Sequence, residues 1–241
     1  MFEEGHLPGA TFVDLEHDLS GRVGPGRHPL PDPAGFTRTM GELGFGTDDR
    51  IVVYDDAGGT VAARLWWMLD GLGHRDVRLL DGGIDAWLAA GGPLETRSTA
   101  KPATTLRLAS EWPRTLDRSA VAERSADQVL VDMRAPERWR GEVEPVDPVA
   151  GHIPGARNLP ATSLLGQDKR LLSPDALRQR MSSVDDEVDG TELVLSCGSG
   201  VTACLGVLAT RVAGLPDALL YPGSYSDWSR SGMPIETDAN G

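Results

Sequence analysis

Residues Leu193-Val194-Leu195-Ser196-Cys197-Gly198-Ser199-Gly200-Val201-Thr202-Ala203-Cys204 decide how this chain folds. A short apolar run ends at Cys197, a glycine-bearing turn follows, and a helical pattern runs from roughly Thr202 to Val212. An apolar strand that turns directly into a helix belongs to a parallel sheet covered on both faces. In such sheets ligands settle outside the carboxyl ends of the strands, against helix N-termini whose N–H groups lack partners. Gly198 and Gly200 let the backbone curl so that successive amides face inward as an anion nest. Negative charge on a sulfur is favoured there, and the thiolate is the nucleophilic form of cysteine. The plain alternative is a buried cysteine before an ordinary turn, but two glycines destabilise a turn whose geometry does not need them. Cys197 is therefore read as reactive, and Cys204 as a small buried apolar residue.

Outward from this stretch, the chain repeats itself. Gly5-His6-Leu7-Pro8-Gly9-Ala10 recurs as Gly151-His152-Ile153-Pro154-Gly155-Ala156. Ile51-Val52-Val53-Tyr54 recurs as Leu193-Val194-Leu195-Ser196, and Leu79-Leu80 with Gly83 and Trp87 recurs as Leu219-Leu220 with Gly223 and Trp228. Three ordered matches imply a duplicated domain. The joint falls in a stretch of Thr, Ser, Ala, Lys and Pro without apolar period, which sets the expected domains at 1–98 and 115–241 with a linker at 99–114. In the second half Val129–Val131, Leu193–Leu195 and Ala218–Tyr221 read as strands. A helix near Ala120–Ser125 precedes them, and another over Pro174–Met181 starts at an N-cap, Ser173, with proline in first position. Alternating strands and helices give the expected fold class: α/β, two domains, each a mostly parallel sheet flanked by helices on both faces. Trp66, Trp67 and Met68 lie on a helical pattern over Val61–Leu72, where large side chains serve packing.

The chain has 241 residues, 40% of them apolar, and a formal net charge of −13 with no basic stripe. That balance argues against nucleic acid and against anionic membrane surfaces. Apolar runs are strand-sized, far below the ~20 residues of a membrane span. The acidic start Met1-Phe2-Glu3-Glu4 does not read as a signal peptide, so the expectation is a cytoplasmic protein. Two cysteines make no disulfide framework and no zinc spacing.

Cys-Gly-Ser-Gly-Val-Thr at 197–202 resembles the active-site loop of 3-mercaptopyruvate sulfurtransferases, members of the tandem-domain rhodanese family. Thiosulfate sulfurtransferases are similar but usually carry Cys-Arg-Lys-Gly-Val-Thr. The resemblance extends over nearly the whole chain. It includes both Gly-His-[Leu/Ile]-Pro-Gly-Ala motifs, Trp66-Trp67-Met68, Leu80-Asp81-Gly82-Gly83, and Asp132-Met133-Arg134 through Arg138-Trp139-Arg140-Gly141. It implies transfer of a sulfane sulfur from 3-mercaptopyruvate or thiosulfate, through a Cys197 persulfide, to a thiol or cyanide. A thioredoxin-like reductant is a further acceptor of this kind. No metal or organic cofactor is implied, and a monomer is expected.

The resemblance further implies site residues. His6 of the first half is expected to approach Ser199 and relay a proton for the leaving enolate. Arg138 is expected to bind the donor's anionic end, with the cradle of Gly198, Gly200, Val201 and Thr202 around the transferred sulfur. A second carboxylate-binding arginine of mercaptopyruvate enzymes aligns with Val146, a departure that weakens mercaptopyruvate as donor. The neutral Gly198 and Ser199 weigh against the dianion thiosulfate, leaving mercaptopyruvate ahead. His152 is expected to be a turn residue, and Arg134 to form a structural salt bridge with Asp132 or a loop carboxylate.

Asp55 stands where the second half has Cys197, so the first half is expected to be catalytically silent. A Cys-dependent phosphatase would need an arginine six residues after Cys197, where Ala203 stands. A non-catalytic binding module of the same fold is the other alternative. Only four residues precede Gly5, whereas the second motif follows a helix, a strand and the Arg138 loop. By its own repeat the chain is expected to lack its first helix and strand, with reduced stability relative to a version extended upstream.

Overall fold

A computed structural model describes residues 2–97, 100–184 and 190–238. The chain divides into two units. Unit one comprises Met1–Arg22, Leu30–Pro113 and Gln167–Arg170; unit two comprises Val23–Pro29, Arg114–Gly166 and Leu171–Gly241. Each half of the sequence thus contributes one short segment to the other unit. The stretch expected to be a linker lies mostly within unit one. There Leu106 is buried, Trp112 stacks on Trp67 with ring centroids 5.7 Å apart, and the Trp112 indole donates to the Pro31 carbonyl at 2.8 Å.

In unit one, helix α1 (Pro33–Glu42) starts at the Asp32 cap with proline in its first turn. Strand β1 (Ile51–Val53) leads through helix α2 (Ala62–Gly71) to the parallel strand β2 (Val77–Leu79), and helix α3 (Gly83–Ala89) follows. Helix α2 is buried from Ala62 through Leu69, so Trp66, Trp67 and Met68 are core, as their spacing predicts. Among the described residues, β1 has a strand partner on one side alone.

Unit two begins with helix α4 (Arg118–Ala122), capped by Asp117, and strand β3 (Gln128–Asp132). Helix α5 (Pro136–Trp139), strand β4 (Arg157–Asn158), helix α6 (Pro174–Met181), strand β5 (Glu192–Ser196), helix α7 (Ala203–Val212), strand β6 (Leu219–Leu220) and helix α8 (Ser224–Trp228) follow. The strands form one parallel sheet ordered β4-β3-β5-β6, and Thr115 bridges to Leu220 beyond β6. Parallel pairing requires a crossover between successive strands, which the intervening helices supply. One sheet face buries Leu130, Val194 and Leu219 with Val121, Ile153, Tyr221, Tyr225 and Trp228, while α7 packs against β5 and β6. No helix among the described residues is long and apolar enough to cross a membrane.

The repeat read from the sequence is visible in side-chain detail. His6 pairs as an antiparallel bridge with Glu95, and His152 does so with Glu236. The Trp87 indole donates to Pro93 and the Trp228 indole to Pro234, each six residues downstream.

Candidate active site

Strand β5 delivers Cys197 to the carboxyl end of the sheet in unit two, and the loop to α7 folds back around its sulfur. The Gly200 amide donates to Cys197 Sγ at 3.2 Å. Gly200 has φ +75°, and a β-carbon there would run into the Pro222 carbonyl oxygen, so only glycine fits. The opening of α8 supports the loop: the amides of Tyr225 and Ser226 donate to the carbonyls of Cys197 and Gly198 at 3.0 and 2.9 Å. The Ser224 hydroxyl accepts from the Cys197 amide at 3.0 Å. Among the described residues, the amides of Ser199, Val201 and Thr202 stay outside the backbone hydrogen bonding of this loop. A sulfur at the head of α7, facing donors already fixed in place, is where negative charge is stabilised without reorganisation.

The hydroxyl of Ser199 bonds His28 Nδ1 at 2.7 Å. His28 belongs to the Val23–Pro29 segment of unit two, which Arg27 anchors through its amide on Ser226 Oγ at 3.0 Å. Sequence reasoning did not single out His28. It lies in Gly-Arg-Val-Gly-Pro-Gly-Arg-His-Pro, 21–29, where glycine and proline erase every period and the repeat has no matching histidine. His6, the residue expected beside Ser199, is buried in unit one with its Nδ1 on the Phe2 carbonyl at 2.8 Å and its ring stacked on Phe2. His152 in unit two is held the same way, Nδ1 on the Trp139 carbonyl at 2.8 Å and the ring stacked on Trp139. The two motif histidines therefore share one local arrangement.

Arg138, on α5, donates to Glu144 Oε1 at 2.6 Å and reaches Asp147 Oδ2 at 3.5 Å. Burial alone would raise the Glu144 carboxyl, but Arg138 and the amides of Asp147 and Val146 outweigh it and hold it below the usual carboxylate range. Arg134 makes the buried pair with Asp132 expected of it, at 2.6 Å, and lies over the Tyr225 ring at 3.7 Å. Burial pushes the Tyr225 phenol up to about 12, so it stays neutral at physiological pH. Val146 is half exposed. The Cys204 thiol is buried and donates to the Gly200 carbonyl at 3.4 Å. Among the described residues no group of His, Cys, Asp or Glu is placed to hold a metal ion.

In unit one, the loop after β1 is filled by its own side chain. Asp55 Oδ1 accepts from the amides of Ala57 and Gly59 at 2.9 and 2.7 Å, and Oδ2 accepts from those of Val61 and Ala62 at 2.9 Å each. Lys169, from the segment that joins unit one, donates to the Asp56 carbonyl at 3.0 Å and to Asp85 at 2.7 Å.

Comparison with known proteins agrees with this architecture. The rhodanese-like domain matches residues 1–90 and again 117–231. A probable 3-mercaptopyruvate sulfurtransferase of Pseudomonas aeruginosa is 45% identical over 95% of this chain and 82% of its own length. A putative thiosulfate sulfurtransferase of Mycobacterium tuberculosis is 44% identical over 94% of this chain and 81% of its own. Among solved structures, the 3-mercaptopyruvate sulfurtransferase from Leishmania major superposes with a TM-score of 0.81 at 34% identity, covering 94% of this chain and 64% of that one. This chain thus spans under two thirds of the Leishmania protein. SseA from Escherichia coli superposes with a TM-score of 0.82 at 33% identity, over 93% of this chain and 85% of that one. The chain belongs to the rhodanese-like family and carries its domain twice in tandem.

Proposed function

We propose that the protein is a sulfurtransferase that takes a sulfane sulfur onto Cys197 and hands it to a thiol or to cyanide. The observation that carries this reading is the Gly200 amide on Cys197 Sγ, at the head of α7, in a loop whose Ser199 is bonded to His28. With 3-mercaptopyruvate, the Cys197 thiolate attacks the donor's sulfur. The S–S bond forms as the C–S bond breaks, and the electron pair leaves on the pyruvate enolate. The proton of the donor's thiol moves to that enolate, giving pyruvate and a Cys197 persulfide anion. The cradle of Gly198, Gly200, Val201 and Thr202 then holds the persulfide's negative charge. Ser199 and His28 form the proton relay, the role expected of His6 from the sequence. The acceptor's thiolate or cyanide attacks the outer sulfur and regenerates the Cys197 thiolate. Small thiols and thioredoxin-like dithiols both suit this second half-reaction.

Mercaptopyruvate is the preferred donor in this reading, because a serine–histidine relay is useful only where a carbanion-like leaving group needs a proton. Thiosulfate is the second donor, favoured by the guanidinium of Arg138 near the loop. Steady-state kinetics with cyanide as acceptor test the reading. Turnover of both donors, with the higher kcat/KM for mercaptopyruvate, is expected, with no hydrolysis of an aryl phosphate. Absence of sulfur transfer from either donor, or turnover of the phosphate, would contradict it.

A further inference from the structure

Four arginines and three carboxylates are linked by ion pairs in unit two: Arg27, Arg134, Arg138 and Arg230 with Asp132, Glu144 and Asp147. Asp147, whose side chain is wholly buried, is shared by Arg27, Arg138 and Arg230. The cluster keeps one positive charge in excess, and its arginines are not equally occupied. Arg134 is buried and fully engaged on Asp132, Glu144 and the Gly151 carbonyl. Arg27 uses Nη1 on Asp147, and among the described residues its Nη2 has no acceptor. Arg138 uses Nε and Nη2 on Glu144 and Asp147, and its Nη1 likewise has none.

Both unused nitrogens point to one spot. Arg27 Nη2 lies 2.9 Å, and Arg138 Nη1 3.6 Å, from where a β-carbon on Gly198 would stand. Gly198 is the residue after the nucleophile, and its missing side chain is what lets two guanidinium edges converge there. Their carboxylate partners sit deep, Asp147 at 0% and Glu144 at 3% side-chain exposure, while Arg27 and Arg138 keep 26% and 20%. The pairs fix the arginines from below and leave their outer edges to solvent, an arrangement suited to a planar or tetrahedral oxyanion.

The geometry points to Arg27 as a second anion-binding residue of the active site, forming with Arg138 a two-guanidinium seat above Gly198 for the anionic end of the sulfur donor. The inference rests on the transferase reading and deepens it. The seat takes a carboxylate, as in an α-keto acid thiol, or the sulfonate-like end of thiosulfate. Its oxygens lie between the two arginines while the transferable sulfur points to Cys197. Asp147 acts as the positioning residue that holds both guanidiniums.

The test compares wild-type protein with Arg27→Gln, which removes the charge and keeps a polar amide, and Arg27→Lys, which keeps the charge. Modification of Cys197 is followed by intact mass with three donors: mercaptopyruvate and thiosulfate, which leave a persulfide, and an uncharged dialkyl trisulfide, which leaves an alkyl disulfide on the cysteine as its alkyl persulfide departs. Loss of one charge-assisted contact is expected to raise KM for either anionic donor about tenfold or more in Arg27→Gln. Rates with the trisulfide should be unchanged, and Arg27→Lys should recover part of the loss. An equal loss with all three donors would reduce Arg27 to a structural role and overturn the inference, as would an unaltered KM for the anions. Wild-type protein that takes sulfur from none of the donors would instead overturn the transferase reading itself, and the inference with it.

Discussion

The loops after β1 and β5 are the same device put to opposite uses. Both follow a parallel strand, and both lead into a largely buried helix. In unit one the four inward amides close on the carboxylate of Asp55, so the loop is stabilised by a ligand built into its own sequence. In unit two the corresponding position is Cys197, which receives one amide at 3.2 Å and leaves others without backbone acceptors. One loop is satisfied at rest, whereas the other, in the proposed reading, is completed by negative charge that arrives with the substrate. On that reading, a structural turn and a reactive one differ by a single side chain plus the groups brought to it. Arg27, His28 and Arg138 stand at the Cys197 loop, and Lys169 stands at the Asp55 loop.

The largest effect expected from breaking this comparison comes from Cys197→Ser. It removes the only group on the loop able to carry sulfur, and turnover should fall by at least ~10^3-fold with either donor. Adding Asp55→Cys to that variant should restore nothing, and recovery in the double variant would sink the distinction between the loops. Next come His28→Ala and Ser199→Ala. Each should lower mercaptopyruvate turnover by about 10^2-fold, the usual worth of a positioned proton donor. Thiosulfate turnover should stay nearly constant, because sulfite leaves without needing a proton. Equal losses with both donors would contradict the relay.

Stability measurements sharpen the same contrast. Asp55→Ala empties a nest of four amides and should cost about 2 kcal/mol, read as a lowered unfolding midpoint with activity retained. The central residues of the two strands supply the smallest contrast. Val194, in β5 between two strands, is 0% exposed, whereas its counterpart Val52 in β1 is 49% exposed. Val194→Ala should cost about 1.5 kcal/mol through lost burial and a cavity. Val52→Ala should stay within about 0.5 kcal/mol, as surface substitutions do. Similar costs at the two positions would mean that Val52 is covered in solution.

What was legible in the sequence was local or repeated. The strand into Cys197, the glycine turn and α7 are contiguous, and helix α6 starts at the Ser173 cap and spans Pro174–Met181 as read. The duplication needed only motif spacing. What escaped was long-range and aperiodic. Arg27 and His28 sit in a Gly/Pro-rich loop of the first half but pack in unit two, on Ser226 and Ser199. No pattern of apolar residues foretells such an exchanged segment. The family resemblance points to His6 as the partner of Ser199, whereas in the structure His6 bridges to Glu95 as His152 does to Glu236. Residues 100–113 read as a linker because their apolar residues are sparse; Leu106 and Trp112 suffice to fix them on unit one.

The most direct measurement is fragment-level mass spectrometry of the protein after brief exposure to mercaptopyruvate and rapid quenching. One added sulfur atom should be found on Cys197, with Cys204 unmodified, and it should disappear when cyanide is added. Sulfur found on Cys204, or a Cys197 that stays unmodified under excess donor, would contradict the account.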